Sequence, residues 1–109
     1  MKRSWAYILQ CSDGSYYTGS TTNIESRIAK HHAGFYGGYT ASRRPLNLVW
    51  SQEFNDINDA IKAEWQIKGW TKKKKEALIS GDFDLLHELA QSKEIRERRV
   101  RIHGRLTSP

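Results

Sequence analysis

Cysteine and methionine each occur once in 109 residues, and proline only twice. A lone Cys11 cannot close an internal disulfide, and without a second cysteine the chain cannot build a zinc finger. Inside a strand, the role left to it is that of a small core residue. No apolar stretch approaches the ~20 residues of a membrane span. Lys2-Arg3 are followed by no apolar leader core, which points to the cytoplasm. There are no internal repeats and no low-complexity linkers. Hydrophobic residues make up 38% of the chain and charged residues 28%, enough for one domain with one modest core. We read residues 1–90 as that domain and 91–109 as a basic C-terminal extension, either a helical continuation or a partly ordered arm.

Acidic residues are the next shortage. Eighteen Lys+Arg face twelve Asp+Glu, for a net charge of +6. This balance favours a polyanionic partner. The cations also cluster, at Arg43-Arg44, at Lys68 with Lys72 to Lys75, and at Arg96 to Arg105. A merely solvated basic surface is the plain alternative.

Two short β-type runs, Trp5 to Cys11 and Ser15 to Ser20, flank Ser12-Asp13-Gly14, a strong hairpin signal. The loop length decides what the hairpin can do. With Asp13-Gly14 alone as the loop, Tyr7 and Tyr17 point to opposite faces. With Ser12-Asp13-Gly14 as a type I turn and a left-handed Gly14, they share one. Trp5 to Cys11 is apolar on both faces, as a covered central strand is. Thr21-Thr22-Asn23 supplies caps for a helix from Ile24 to about Ala33. Arg27 and His31, four apart, lie on one face of it, and the adjacent His32 faces solvent. Residues 34–45 read as a long loop. Its aromatics Phe35, Tyr36 and Tyr39, with Arg43 and Arg44, suit unstacked bases and phosphates; the alternative is that they fold back on the core. Leu46 to Phe54 alternates as a third strand. The expected fold is α+β: a three-stranded antiparallel sheet, first strand central, flanked by helices.

A helix capped by Asn55 or Asp56 runs from Ile57 to Gly69. Its apolar stripe, Ile57, Ala60, Ile61, Trp65, contains Glu64 at i+7. A carboxylate on an apolar face must be paired, protonated or bound to a cation. Lys68 at i+4 is one partner and a metal ion is the other. Thr71 opens a further helix carrying Lys72, Lys73, Lys74 and Lys75 in its first turn. There the helix dipole disfavours cations, so an anion-binding surface explains them better than local stability does. Asp82 caps a last helix after Gly81.

The paired tripeptides Ala6-Tyr7-Ile8 and Tyr17-Thr18-Gly19 resemble the signature of the GIY-YIG nuclease superfamily, with Ala6 for its first glycine and Thr18 for its second isoleucine. The order Tyr7, Tyr17, Gly19, Arg27, His31, Glu64 over residues 4 to 82 is similar to that of its small bacterial branch, whose members include nucleases acting on single-stranded DNA. The resemblance implies that Glu64, in Ala63-Glu64-Trp65, holds a single Mg²⁺ or Mn²⁺. It implies that Arg27 grips the scissile phosphate, that Tyr7 takes the proton from water and that Tyr17 orients water or phosphate. His31 matches a histidine that some members carry. Gly19 would let the nucleic-acid backbone pass closely, and Tyr36, Tyr39, Arg43, Arg44, Lys68 and Lys72 to Lys75 would bind the strand. The asparagine that several families carry after the metal glutamate has no counterpart here. A free tyrosine with a pKa near ~10 is about one part in a thousand phenolate at pH 7, so cations or a hydrogen bond from His31 must lower that value. The five catalytic residues should converge on one concave surface. The expected activity is metal-dependent endonucleolytic cleavage of DNA, preferably single-stranded, with RNA left open. The alternative is a catalytically silent nucleic-acid-binding module, or an interaction domain in a repair or RNA-processing assembly.

Overall fold

The computed structural model describes residues 3–90; the basic extension at 91–109 lies outside them. The chain divides into two compact units with the boundary after Trp70. The first holds β1 (Ser4–Gln10), β2 (Tyr16–Thr21), α1 (Ile24–His32), α2 (Gly38–Ala41), β3 (Asn47–Phe54) and α3 (Ile57–Lys68). Its sheet is antiparallel in the order β2-β1-β3, so the strand that reads as covered on both sides is the central one. Ala6, Tyr7, Ile8 and Leu9 are fully buried, each of the larger ones contributing roughly 1.5–3 kcal/mol.

The hairpin takes the three-residue loop. Gly14 N–H bonds to the Cys11 carbonyl (3.0 Å), Cys11 N–H to the Ser15 carbonyl (2.8 Å), and Gly14 has φ +83°. Asp13 Oδ1 accepts from the Ser15 amide (3.0 Å) and hydroxyl (2.6 Å), closing the turn locally. The resulting register sets Tyr7 opposite Gly19 and Leu9 opposite Tyr17. Directly opposed residues share a face, so both tyrosines point the same way.

On that face Tyr7, Leu9, Cys11 and Leu46 form the core cluster, with Tyr17 and the α1 residues Ile24 and Ile28 packed against it. Asn23 caps α1 by accepting from Ser26 N–H. α3, capped by Asp56, packs on β2 and β1 from the other face, with Ala60 and Ile67 buried.

Three expectations need correction. The alternation of Leu46 to Phe54 is broken by a bulge: Ile8 pairs with Trp50 and Leu9 with Leu48, which leaves Val49 unpaired. Leu48 and Trp50 therefore lie on opposite faces. The 34–45 loop contains the one-turn helix α2. Trp65 is not core but 69% exposed, because the buried line of α3 runs Ala60, Glu64, Ile67 and turns Trp65 outward.

In the second unit, α4 (Lys72–Ser80) is capped by Thr71, which accepts from Lys74 N–H, and stops at left-handed Gly81. Asp82 then caps a helical stretch over 83–90 by accepting from Leu85 N–H (3.1 Å). Among the described residues no helix is long and apolar enough to cross a membrane.

Candidate active site

Four of the five candidate catalytic residues meet on the α1 face of the sheet. Tyr7 Oη lies 3.0 Å from His31 Nε2, and His31 Nδ1 lies 3.2 Å from Thr40 Oγ1. All three residues are buried. The Tyr17 ring stands edge-on to His31 with centroids 5.2 Å apart, Tyr36 tilts onto the same imidazole at 4.7 Å, and the Arg27 guanidinium lies 5.1 Å from the Tyr36 centroid. The four-residue spacing of Arg27 and His31 aims both at this cluster.

Burial pushes the Tyr7 hydroxyl up to about 12, with Tyr17 adding to the rise and Arg27 opposing it as charge and as donor. The expected lowering is thus reversed: the low-dielectric core outweighs the cation. At pH 7 only about one Tyr7 in 10⁵ is phenolate. Burial, then the charges of Arg27 and His32, hold His31 below its ordinary 6.5, so it is neutral at pH 7. With His31 neutral, one ring nitrogen carries the proton and the other accepts: Tyr7 Oη donates to Nε2 when Nδ1–H donates to Thr40, and the roles reverse in the other tautomer.

Gly19 makes room for Tyr7. A Cβ there would collide with the Tyr7 hydroxyl and Cζ and lie 3.0 Å from Cε1. The phenol crosses the neighbouring strand only because that residue has no side chain.

Glu64 does not join the other four on one surface. Its Oε1 accepts from Ser20 Oγ (2.6 Å) and its Oε2 pairs with Lys68 Nζ (2.9 Å). Ser20 neighbours Gly19 on β2, and alternation along the strand turns its side chain to the α3 face. The carboxylate is 14% exposed. It reaches β2, an edge strand, from one face, while on the other face Tyr7 packs over Gly19 and the Tyr17 side chain projects. Among the described residues no three His, Cys, Asp or Glu cluster as metal ligands. One hard carboxylate fits a hard divalent ion that keeps most of its waters, provided Lys68 yields its place.

The expected strand-binding residues divide. Tyr36 is 41% exposed beside His31. Tyr39 is 43% exposed but covered on one side by Arg43 at 3.8 Å. Arg43 also pairs with Asp13 (3.1 Å) and donates to the Tyr39 carbonyl (2.9 Å). Arg44 donates to the Ala41 carbonyl (2.9 Å) and the His32 carbonyl (3.4 Å). Both arginines are thus committed to the loop, a role the basic pair alone does not reveal. Lys68 is committed to Glu64. Lys72 and Lys73 are exposed, and Lys74 and Lys75 are half-buried. Sequence reasoning misses Ser20 and Thr40. Ser20 is marked only by following Gly19, and nothing in the pattern of a glycine-rich loop singles out Thr40.

The GIY-YIG catalytic domain matches residues 3–77, and the chain belongs to that family, within the GIY-YIG nuclease superfamily. It is particularly similar to the small UPF0213 proteins. It is 44% identical to the UPF0213 protein SSP2268 of Staphylococcus saprophyticus, over 73% of this chain and 98% of that one. It is 42% identical to VNG_2274C of Halobacterium salinarum, over 67% and 95%. The solution structure of EF2693 from E. faecalis is similar at a TM-score of 0.54 and 38% identity, covering 78% of this chain and 90% of that one. The domain implies a nucleic-acid substrate, and GIY-YIG nucleases are generally dependent on divalent metal.

Proposed function

We propose that this protein is an endonuclease that hydrolyses phosphodiester bonds in single-stranded DNA, using one Mg²⁺ or Mn²⁺. The observation that carries the proposal is the buried Tyr7–His31–Thr40 line beside Arg27. It is a proton path ending at a neutral imidazole. Water attacks the phosphorus, forming a P–O bond as the ester P–O bond breaks. The water proton passes to Tyr7 Oη while the Tyr7 proton passes to His31 Nε2, so a phenolate never has to persist at neutral pH. Arg27 binds the non-bridging oxygens. Glu64, which reaches β2 at Ser20 from the second face, would hold the ion, whose chemistry would be to neutralise charge at the phosphate and the leaving oxygen. The leaving oxygen takes its proton from solvent. Exposed Tyr36 offers a ring to an unpaired base. In the second unit, exposed Lys72 and Lys73 contribute to the overall charge that attracts a polyanion.

The test is incubation with one labelled oligonucleotide, single-stranded and annealed to its complement, and with the matching RNA, in Mg²⁺, Mn²⁺ or EDTA at matched salt. The expected result is metal-dependent cutting, faster on the single strand. No cutting under any condition leaves the silent-module reading, which draws its support from a Glu64 already satisfied by Ser20 and Lys68.

The proton path also fixes a pH profile. Its acceptor is neutral His31, whose folded pKa is depressed below 6.5. Cleavage should be complete above that value and fall as pH drops through the folded pKa. The path requires the tautomer in which Nδ1–H donates to Thr40, and Thr40→Val removes that acceptor. We expect cleavage to drop about tenfold or more and the imidazole ¹⁵N shifts to report a changed tautomer, both restored by Thr40→Ser. A rate that does not fall on acidification while the protein stays folded, or a valine variant with an unchanged tautomer, removes His31 as acceptor.

A further inference from the structure

We infer that Phe35, with Lys30 and Tyr36, forms a stacking subsite for one unpaired nucleobase flanking the scissile phosphate. The inference rests on the nuclease reading above and adds the place and chemistry of a base-binding site.

The argument begins at the end of α1. Gly34 is left-handed (φ +72°), its N–H bonds to the His31 carbonyl (3.0 Å), and the Phe35 N–H bonds to the Lys30 carbonyl (2.9 Å). This pair of bonds is the Schellman helix stop, which usually carries an apolar contact between the residue after the glycine and the one five positions earlier. Here that earlier residue is Lys30. Its ammonium sits 5.1 Å from the Phe35 centroid, and Phe35 stands 67% exposed. The ring therefore adds almost nothing to burial, although its backbone is held by the helix end.

From Phe35 the rings continue inward. Tyr36 meets it edge-on at 5.2 Å and tilts onto His31 at 4.7 Å. Arg27 and Lys30, three apart on α1, place one cation beside each of the two rings. A phosphate held by Arg27 thus has an exposed aromatic face and a second cation within one nucleotide's reach. Any unpaired base presents a π face, whereas a paired one does not. Tyr39, which the sequence groups with these aromatics, is already stacked under Arg43, so the subsite is at the Phe35 end of the loop.

The test is binding in EDTA, where no strand is cut. The probes are a short thymidine oligonucleotide and an abasic strand of the same length and charge. The native protein should bind the thymidine strand about tenfold more tightly. Phe35→Leu should erase that preference while leaving affinity for the abasic strand unchanged, and Phe35→Trp should keep it. Equal binding of the two strands by the native protein, a full preference in Phe35→Leu, or no binding of either strand at low salt overturns the subsite. The readout is separate from cleavage. Base preference without metal-dependent cutting removes the nuclease and leaves the subsite; cutting without base preference does the reverse.

Discussion

Glu64→Gln should yield a protein that binds nucleic acid and does not cut it. The amide keeps the shape of the carboxylate and an oxygen for Ser20 Oγ. It loses the charge that a hard divalent ion needs. Removing several kcal/mol of transition-state stabilisation corresponds to a rate loss of about a thousandfold or more. Stability should change little. Lys68 is 49% exposed, and a pair with so solvated a partner is worth only a few tenths of a kcal/mol. Binding should persist because the charge that attracts a polyanion resides in the lysines and arginines. Single-turnover cleavage in Mg²⁺ and Mn²⁺, beside binding in EDTA at the same salt, checks both halves. Native-rate cutting by the glutamine variant would remove Glu64 from the metal role and with it the two-faced site at the β2 edge.

Gly19→Ala is the second large effect, and it acts through packing. Gly19 does not have a positive φ, so alanine suits its backbone. The obstacle is the Tyr7 phenol, which occupies the space a Cβ would take. Tyr7 is fully buried against Leu9, Cys11 and Leu46 and has nowhere to go without breaking that cluster. Overpacking of this kind costs about 1–3 kcal/mol. Any relief displaces Oη from His31 and Arg27, and a displacement of about 1 Å costs on the order of a hundredfold in rate. We expect a lower Tm and a loss of cleavage together. A variant that is as stable and as active as the native protein would show that the ring has room the structure denies it. The second glycine of the signature is thus explained by the tyrosine on the next strand.

Local rules carried much of the fold. Ser12-Asp13-Gly14 determined that a hairpin forms there but left two loop lengths open, and the pairing of Cys11 with Ser15 chose the three-residue loop and its register. That register put Tyr7 and Tyr17 on one face. Asn23, Asp56 and Thr71 determined where helices start, since each supplies an oxygen to an amide two or three residues on. The i,i+4 spacing of Arg27 and His31 determined that they point together. All of these depend on neighbours within a few residues. The rest was decided by distances between elements far apart in sequence. Which face α3 covers decided that Glu64 meets β2 across from the tyrosines. The depth of the core decided that burial outweighs Arg27 at Tyr7. The folding of 34–45 around α2 decided that Arg43 and Arg44 hold their own loop and that Thr40 reaches His31. A spacing in sequence specifies which side of one element a residue occupies, whereas desolvation and hydrogen-bond pairing depend on what another element brings to that side.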